Sequence, residues 1–134
     1  MRKIKYLIVH ATGGWTHQTI ADLNAEFKRK GWKHPGYHYV IKRDGSITQL
    51  LDVAQPSNGC KGYNSVSINV AWIGGLADKK TTVDNRTAEQ KTALRYLLKK
   101  LKKDYPTAEI RGHNFFDKGK DCPCFDAQTE FSDL

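Results

Sequence analysis

Three residues that share a chemistry stand far apart in this chain. His10 ends Ile8-Val9-His10, His113 sits in Arg111-Gly112-His113, and Cys122 opens Cys122-Pro123. A catalytic zinc site takes three protein ligands of this kind and keeps a fourth position open for water. The chemistry they could perform is metal-assisted hydrolysis. Taken alone, a histidine at a strand end is more often structural than ligating, so residue type does not settle His10. His17 and His34 lie in polar surroundings and read as surface or capping residues. His38, beside Tyr37, faces either a cleft or the core.

The surroundings of these residues carry more. Lys120-Asp121-Cys122-Pro123-Cys124-Phe125-Asp126 places a lysine two positions before the thiol, and Gly36-Tyr37-His38-Tyr39-Val40-Ile41 brings a tyrosine to the mouth of a hairpin. Together with Lys61-Gly62-Tyr63-Asn64 and Asn69-Val70-Ala71-Trp72-Ile73-Gly74-Gly75, these stretches resemble the zinc-dependent N-acetylmuramoyl-L-alanine amidases. That family includes the lysozyme-like amidases of T-odd phages and the animal peptidoglycan recognition proteins. The resemblance runs from about Ile4 to Phe131.

The resemblance implies one Zn2+ per chain held by His10, His113 and Cys122, with Tyr37 and Lys120 as catalytic residues. It implies a substrate too, the amide between N-acetylmuramic acid and the L-alanine of the peptidoglycan stem peptide. Two neutral imidazoles and a thiolate leave such a centre with a net positive charge, which depresses the pKa of its water toward neutrality. The Lys120 ammonium suits the negative charge that develops on the carbonyl oxygen, an effect worth a few kcal/mol. Tyr37 either donates to the same oxygen or relays a proton to the leaving amine.

Three positions depart from the family pattern. Gly59 stands where relatives often carry a histidine that contacts substrate, Asn114 where they often carry arginine, and Cys124 where a small residue is usual. Cys124 could be a fourth ligand, a redox partner of Cys122 or a filler. A fourth protein ligand would occupy the water position, so a filler is expected. Two rival functions share the fold, a muropeptide-binding module that does not cut and an interaction protein that inhibits a polymerase. Non-cutting relatives typically lack the cysteine, and no segment identifies a polymerase-binding surface.

Bulk properties agree. The 134 residues suffice for one domain, 1–134, that buries roughly two thirds of its unfolded surface. Lys+Arg of 22 against Asp+Glu of 14 gives a net charge of +8, which favours an anionic partner such as a cell-wall polymer, a membrane surface or nucleic acid. No nucleic-acid-binding motif is visible, and a monomer is expected. Three cysteines do not make a disulfide framework. The apolar run Tyr6 to Val9 is too short for a signal peptide or a membrane span, so the chain is expected to act on the wall after release by another component, or on cytoplasmic muropeptides.

The pattern of elements predicts how the site is positioned. Lys3 to Val9 is apolar on both parities, as in a strand covered on both faces. Thr19-x-x-Asp22 and Thr87-x-x-Gln90 are helix starts, the second followed by a stripe of Leu94, Leu97, Leu98 and Leu101. Asp44-Gly45 predicts a hairpin with a type I′ turn between Tyr37–Lys42 and Ser46–Leu51. Ile68 to Ile73 and Ala108 to Arg111 are further strands, and Gln55 to Ser65 a long loop near a site. The expected class is α/β (α+β), a central mixed sheet flanked by helices. In it, His10 and His113 leave strands at the sheet edge and the Cys122 loop closes over them.

Overall fold

The computed structural model describes residues 2–134. Five strands form one sheet: β1 (Tyr6–Ala11), β2 (Tyr39–Ile41), β3 (Ile47–Gln49), β4 (Ser67–Trp72) and β5 (Glu109–Gly112), in the spatial order β3-β2-β4-β1-β5. β1 runs parallel to β4 and β5, β2 runs parallel to β4, and only the β2–β3 hairpin is antiparallel. The sheet is mixed, as the residue pattern predicts.

The double-parity apolar pattern of β1 has its cause in this order. Leu7 and Val9 face the core shared with helix α2 (Ala88–Asp104), whose Leu94, Leu97, Leu98 and Leu101 are all buried. Ile8 and His10 point to the opposite face. There helix α1 (Ile20–Arg29) packs Leu23 and Phe27 against Val40 and Ile73. Both helices open on capping boxes in which threonine and the N3 side chain satisfy each other's backbone N–H: Thr19 with Asp22, and Thr87 with Gln90. Gln90 also goes inward, donating to the Ile41 and Ile73 carbonyls and accepting from Arg43.

Two expectations need correction. His10 does not lie where its strand leaves the sheet edge; it is the fifth residue of β1, an interior strand between β4 and β5. It does lie near that strand's C-terminal end, one residue past the last β1–β5 pair, Val9 with Gly112. The Asp44-Gly45 turn is not type I′, which needs positive φ at both central residues. Only Gly45 is left-handed (φ 87), the Gly45 N–H donates to the Lys42 carbonyl, and the Asp44 carboxylate accepts from the Ser46 N–H. This is the longer hairpin loop with glycine after the turn.

Because α2 supplies most of one core layer, a cavity there should be costly. Leu98→Ala, at a fully buried position, should lower unfolding free energy by about 2–5 kcal/mol in urea titrations. A loss below about 1 kcal/mol would contradict the packing described.

Candidate functional site

The site forms where β1 and β5 run out toward the same end of the sheet. His10 projects from β1 on the α1 face and is 1 % exposed. His113 follows directly on the edge strand β5, as the residue pattern predicts, and opens the short helix α3 (His113–Phe116). Cys122 comes from the loop that follows. Its thiol lies 3.6 Å from His10 Nδ1, and the Ala11 N–H donates to its sulfur at 3.2 Å.

One ligand atom each from His10, His113 and Cys122 falls within 4.8 Å of the others. Ligands at the bond lengths of tetrahedral zinc stand about 3.3–3.8 Å apart, so the donor set and its spacing fit a metal with little movement. Cys124 is outside this group. It packs on the core edge with a left-handed backbone (φ 74), consistent with a filler. The cysteines are free. His17 is exposed and stacks on Trp15, and His34 is half-buried; neither belongs to the group.

A cleft of about 410 Å³ opens over the group, with Tyr37 and Lys120 in its lining beside the three residues. That is the size of an ordinary ligand pocket. The Tyr37 ring lies 5.2 Å from the His10 ring, and its back packs on Phe27 of α1. Burial, with Cys122 and Glu26 adding, holds the Tyr37 phenol well above its usual range, so it stays a hydrogen-bond donor at neutral pH. Lys120 is exposed on the cleft rim.

Burial keeps the three ligand groups uncharged. Burial pushes the Cys122 thiol up to about 12, against the pull of the Ala11 N–H and Lys120. Burial lowers His10 to about 3, with His113 adding, and lowers His113 as well, with Lys120 adding. Without metal all three groups are neutral, and a bound cation would displace the thiol proton.

Sequence reading missed what holds the Cys122 loop. The indole N–H of Trp72 on β4 donates to the Pro123 carbonyl, and Asn114 N–H donates to the Cys122 carbonyl. Arg86 lies 3.5 Å over the Phe125 ring and pairs with both Asp84 and Glu130. Phe125 and Trp72 stand in the stretches that carry the family resemblance, but a loop's anchors have no periodicity and their contacts are not visible there. His38, for which two orientations were open, is wholly buried. Its Nδ1 accepts the Asn69 backbone N–H, so the ring proton is on Nε2 and goes to the Gln55 carbonyl at 2.7 Å.

The comparisons with known proteins agree with this geometry. The family model described as N-acetylmuramoyl-L-alanine amidase matches residues 1–125. The endolysin of Enterobacteria phage K11 is 36% identical over 109 residues, covering 81% of this chain and 72% of that protein. The endolysin of Escherichia phage T7 is 35% identical over 122 residues, covering 90% and 80%. Among solved structures, the Ph2119 endolysin from Thermus scotoductus MAT2119 bacteriophage Ph2119 superposes with a TM-score of 0.82 at 25% identity, covering 99% of this chain and 85% of that one. The chain belongs to the N-acetylmuramoyl-L-alanine amidase family.

Buried neutral histidines make the metal-free protein acid-sensitive. His38 is lowered to about 4, chiefly by burial, and His10 to about 3, whereas an unfolded histidine takes its proton near pH 6.5. Both folded pKa values are depressed, so the unfolded state binds more protons below pH 6.5 and stability drops as pH falls from there toward 4. The slope should reach up to about 1.4 kcal/mol per pH unit for each histidine. Urea midpoints of metal-free protein at pH 7 and pH 5 measure it, and equal midpoints would contradict it.

Proposed function

We propose that this amidase is a phage-type peptidoglycan hydrolase that uses one zinc ion, held by His10, His113 and Cys122, to cleave the bond between N-acetylmuramic acid and L-alanine. The observation that carries the reading is the convergence of those three ligand atoms within 4.8 Å, at the floor of a cleft lined by Tyr37 and Lys120, in a chain of this family. Zinc held there supplies Lewis acidity toward the amide carbonyl and a water acidic enough to ionise near neutral pH.

The chain's own residues account for the rest. The Tyr37 phenol, protonated and fixed against Phe27, donates to the carbonyl oxygen as charge builds on it. Lys120 on the rim brings a positive charge to the same oxygen and stays solvated until substrate covers it. The half-apolar cleft wall, with Phe27 and Trp32 stacked at 5.7 Å, offers a flat surface to the substrate and excludes water from one side. The net charge of +8 favours approach to anionic wall polymers. Among the described residues no helix is long and apolar enough to cross a membrane. We read the chain as one catalytic domain, active as a monomer on the wall after release.

Metal analysis of the wild type should give one zinc per chain, and His113→Ala should lose most of it. Unchanged zinc in that variant would remove His113 from the ligand set. Lys120→Ala should keep its zinc and lower kcat by about 10²-fold, because the ammonium acts on charge present only in the transition state. Near-wild-type turnover would remove Lys120 from the chemistry.

A further inference from the structure

Asn69 lies on β4, beside β1 and on the face that His10 occupies; the register pairs it with Ile8, two residues before His10. Its side chain is completely buried and each polar atom has a partner. Oδ1 is 2.7 Å from His10 Nε2. Nδ2 donates to Ser57 Oγ at 2.7 Å and lies 3.4 Å from Ser67 Oγ. The backbone is held as firmly, since Asn69 N–H donates to His38 Nδ1 at 3.0 Å and His38 N–H donates to the Asn69 carbonyl at 2.8 Å.

The two nitrogens of His10 therefore face different groups. Nδ1 looks toward Cys122 Sγ, and Nε2 looks away from the cleft toward the amide. A neutral imidazole carries one ring proton, and a carbonyl oxygen can only accept. Oδ1 of Asn69 thus places that proton on Nε2 and leaves the Nδ1 lone pair bare, aimed at the centre. A flipped amide would set an N–H group against Nε2, drive the ring proton onto Nδ1 and cost the centre one of its three donors.

Gly59 bears on the same amide. A Cβ built there would lie 2.5 Å from Asn69 Cγ, 2.6 Å from Oδ1 and 2.7 Å from the Gly36 carbonyl oxygen, closer than real Cβ atoms approach. Only glycine at position 59 leaves room for the Asn69 amide and the Gly36 carbonyl. Ser57 and Gly59 thus press one loop against the amide, while Asn58 and Gly59 line the cleft.

We infer that Asn69 is a positioning residue of the metal centre, whose side-chain oxygen fixes the tautomer and ring orientation of His10. The inference rests on the zinc site proposed above but makes a claim of its own, that ligand geometry is set before metal arrives. Partners of this kind behind a ligating histidine typically change metal affinity 10–100-fold when removed.

Long-range proton–nitrogen NMR on metal-free wild-type protein at neutral pH should show His10 as the Nε2–H tautomer, with a slowly exchanging Nε2 proton. A proton on Nδ1, or rapid averaging between the two, would overturn the inference, and this measurement requires no variant to fold. In Asn69→Ala that protected proton should disappear, and competition between the protein and a chromophoric chelator for Zn2+ alone should show affinity about 10–100-fold weaker. Far-UV circular dichroism of the metal-free variant checks that the sheet persists. Wild-type zinc affinity in a folded Asn69→Ala would overturn the inference while leaving the zinc site standing. A wild type that binds no zinc would instead overturn the site, with the NMR result still deciding whether Asn69 orients His10.

Discussion

The structure is organised around one unfavourable requirement: two imidazoles and a thiol must meet at the partly buried floor of a cleft, with less water than would otherwise solvate them. Burial lowers His10 to about 3 and raises Cys122 to about 12, so in the metal-free protein the groups meet uncharged. An isolated thiolate there would be costly, whereas a thiolate whose proton has been displaced by a cation is paired with that cation's charge. Each ligand also needs a rigid origin. His10 comes from an interior strand, His113 from a helix start tied to the Cys122 carbonyl, and Cys122 from a loop tied to Trp72 and covered by Phe125 under Arg86.

That origin explains the division of the sheet's two faces. The face with Leu7, Val9, Ile68, Val70 and Trp72 is filled by the leucines of α2 and supplies stability. The other face carries Ile8, His10 and Asn69, with α1 covering only part of it, and the uncovered part is the cleft. Parallel strands that end together place their side chains at one rim, the common location of sites in such sheets. Helix α1 contributes Phe27, which backs both Tyr37 and Trp32, so the helix that closes one core also shapes the cleft wall.

Much of this was legible in the sequence, for reasons that can be named. Both capping boxes were visible because threonine and the N3 side chain lie three residues apart and act locally. The two-sided burial of β1 was visible in consecutive apolar residues, and His10, His113, Cys122, Tyr37 and Lys120 in residue type and order; the structure gathers these five around one cleft. What was not legible depends on distant partners. Asn69 stood in a recognisable stretch, yet its contact with His10 spans 59 positions and needs the β1–β4 register. The Gly45 loop was misjudged because Asp-Gly suits two turn types, and the Asp44 carboxylate accepting from Ser46 favours the longer one. Gly59 stood out in the sequence only as a position without the family's histidine; its close approach to the Asn69 amide and the Gly36 carbonyl depends on the fold.

The central claim is that this centre hydrolyses one amide and leaves the glycan chain intact. Digesting purified peptidoglycan with the protein, with and without a zinc chelator, and analysing the soluble products by mass spectrometry tests it directly. The account predicts stem peptides with free N-terminal L-alanine, no new reducing sugar ends, and no release in the presence of chelator. New reducing ends, cleavage inside the peptide, or release that persists without metal would contradict it.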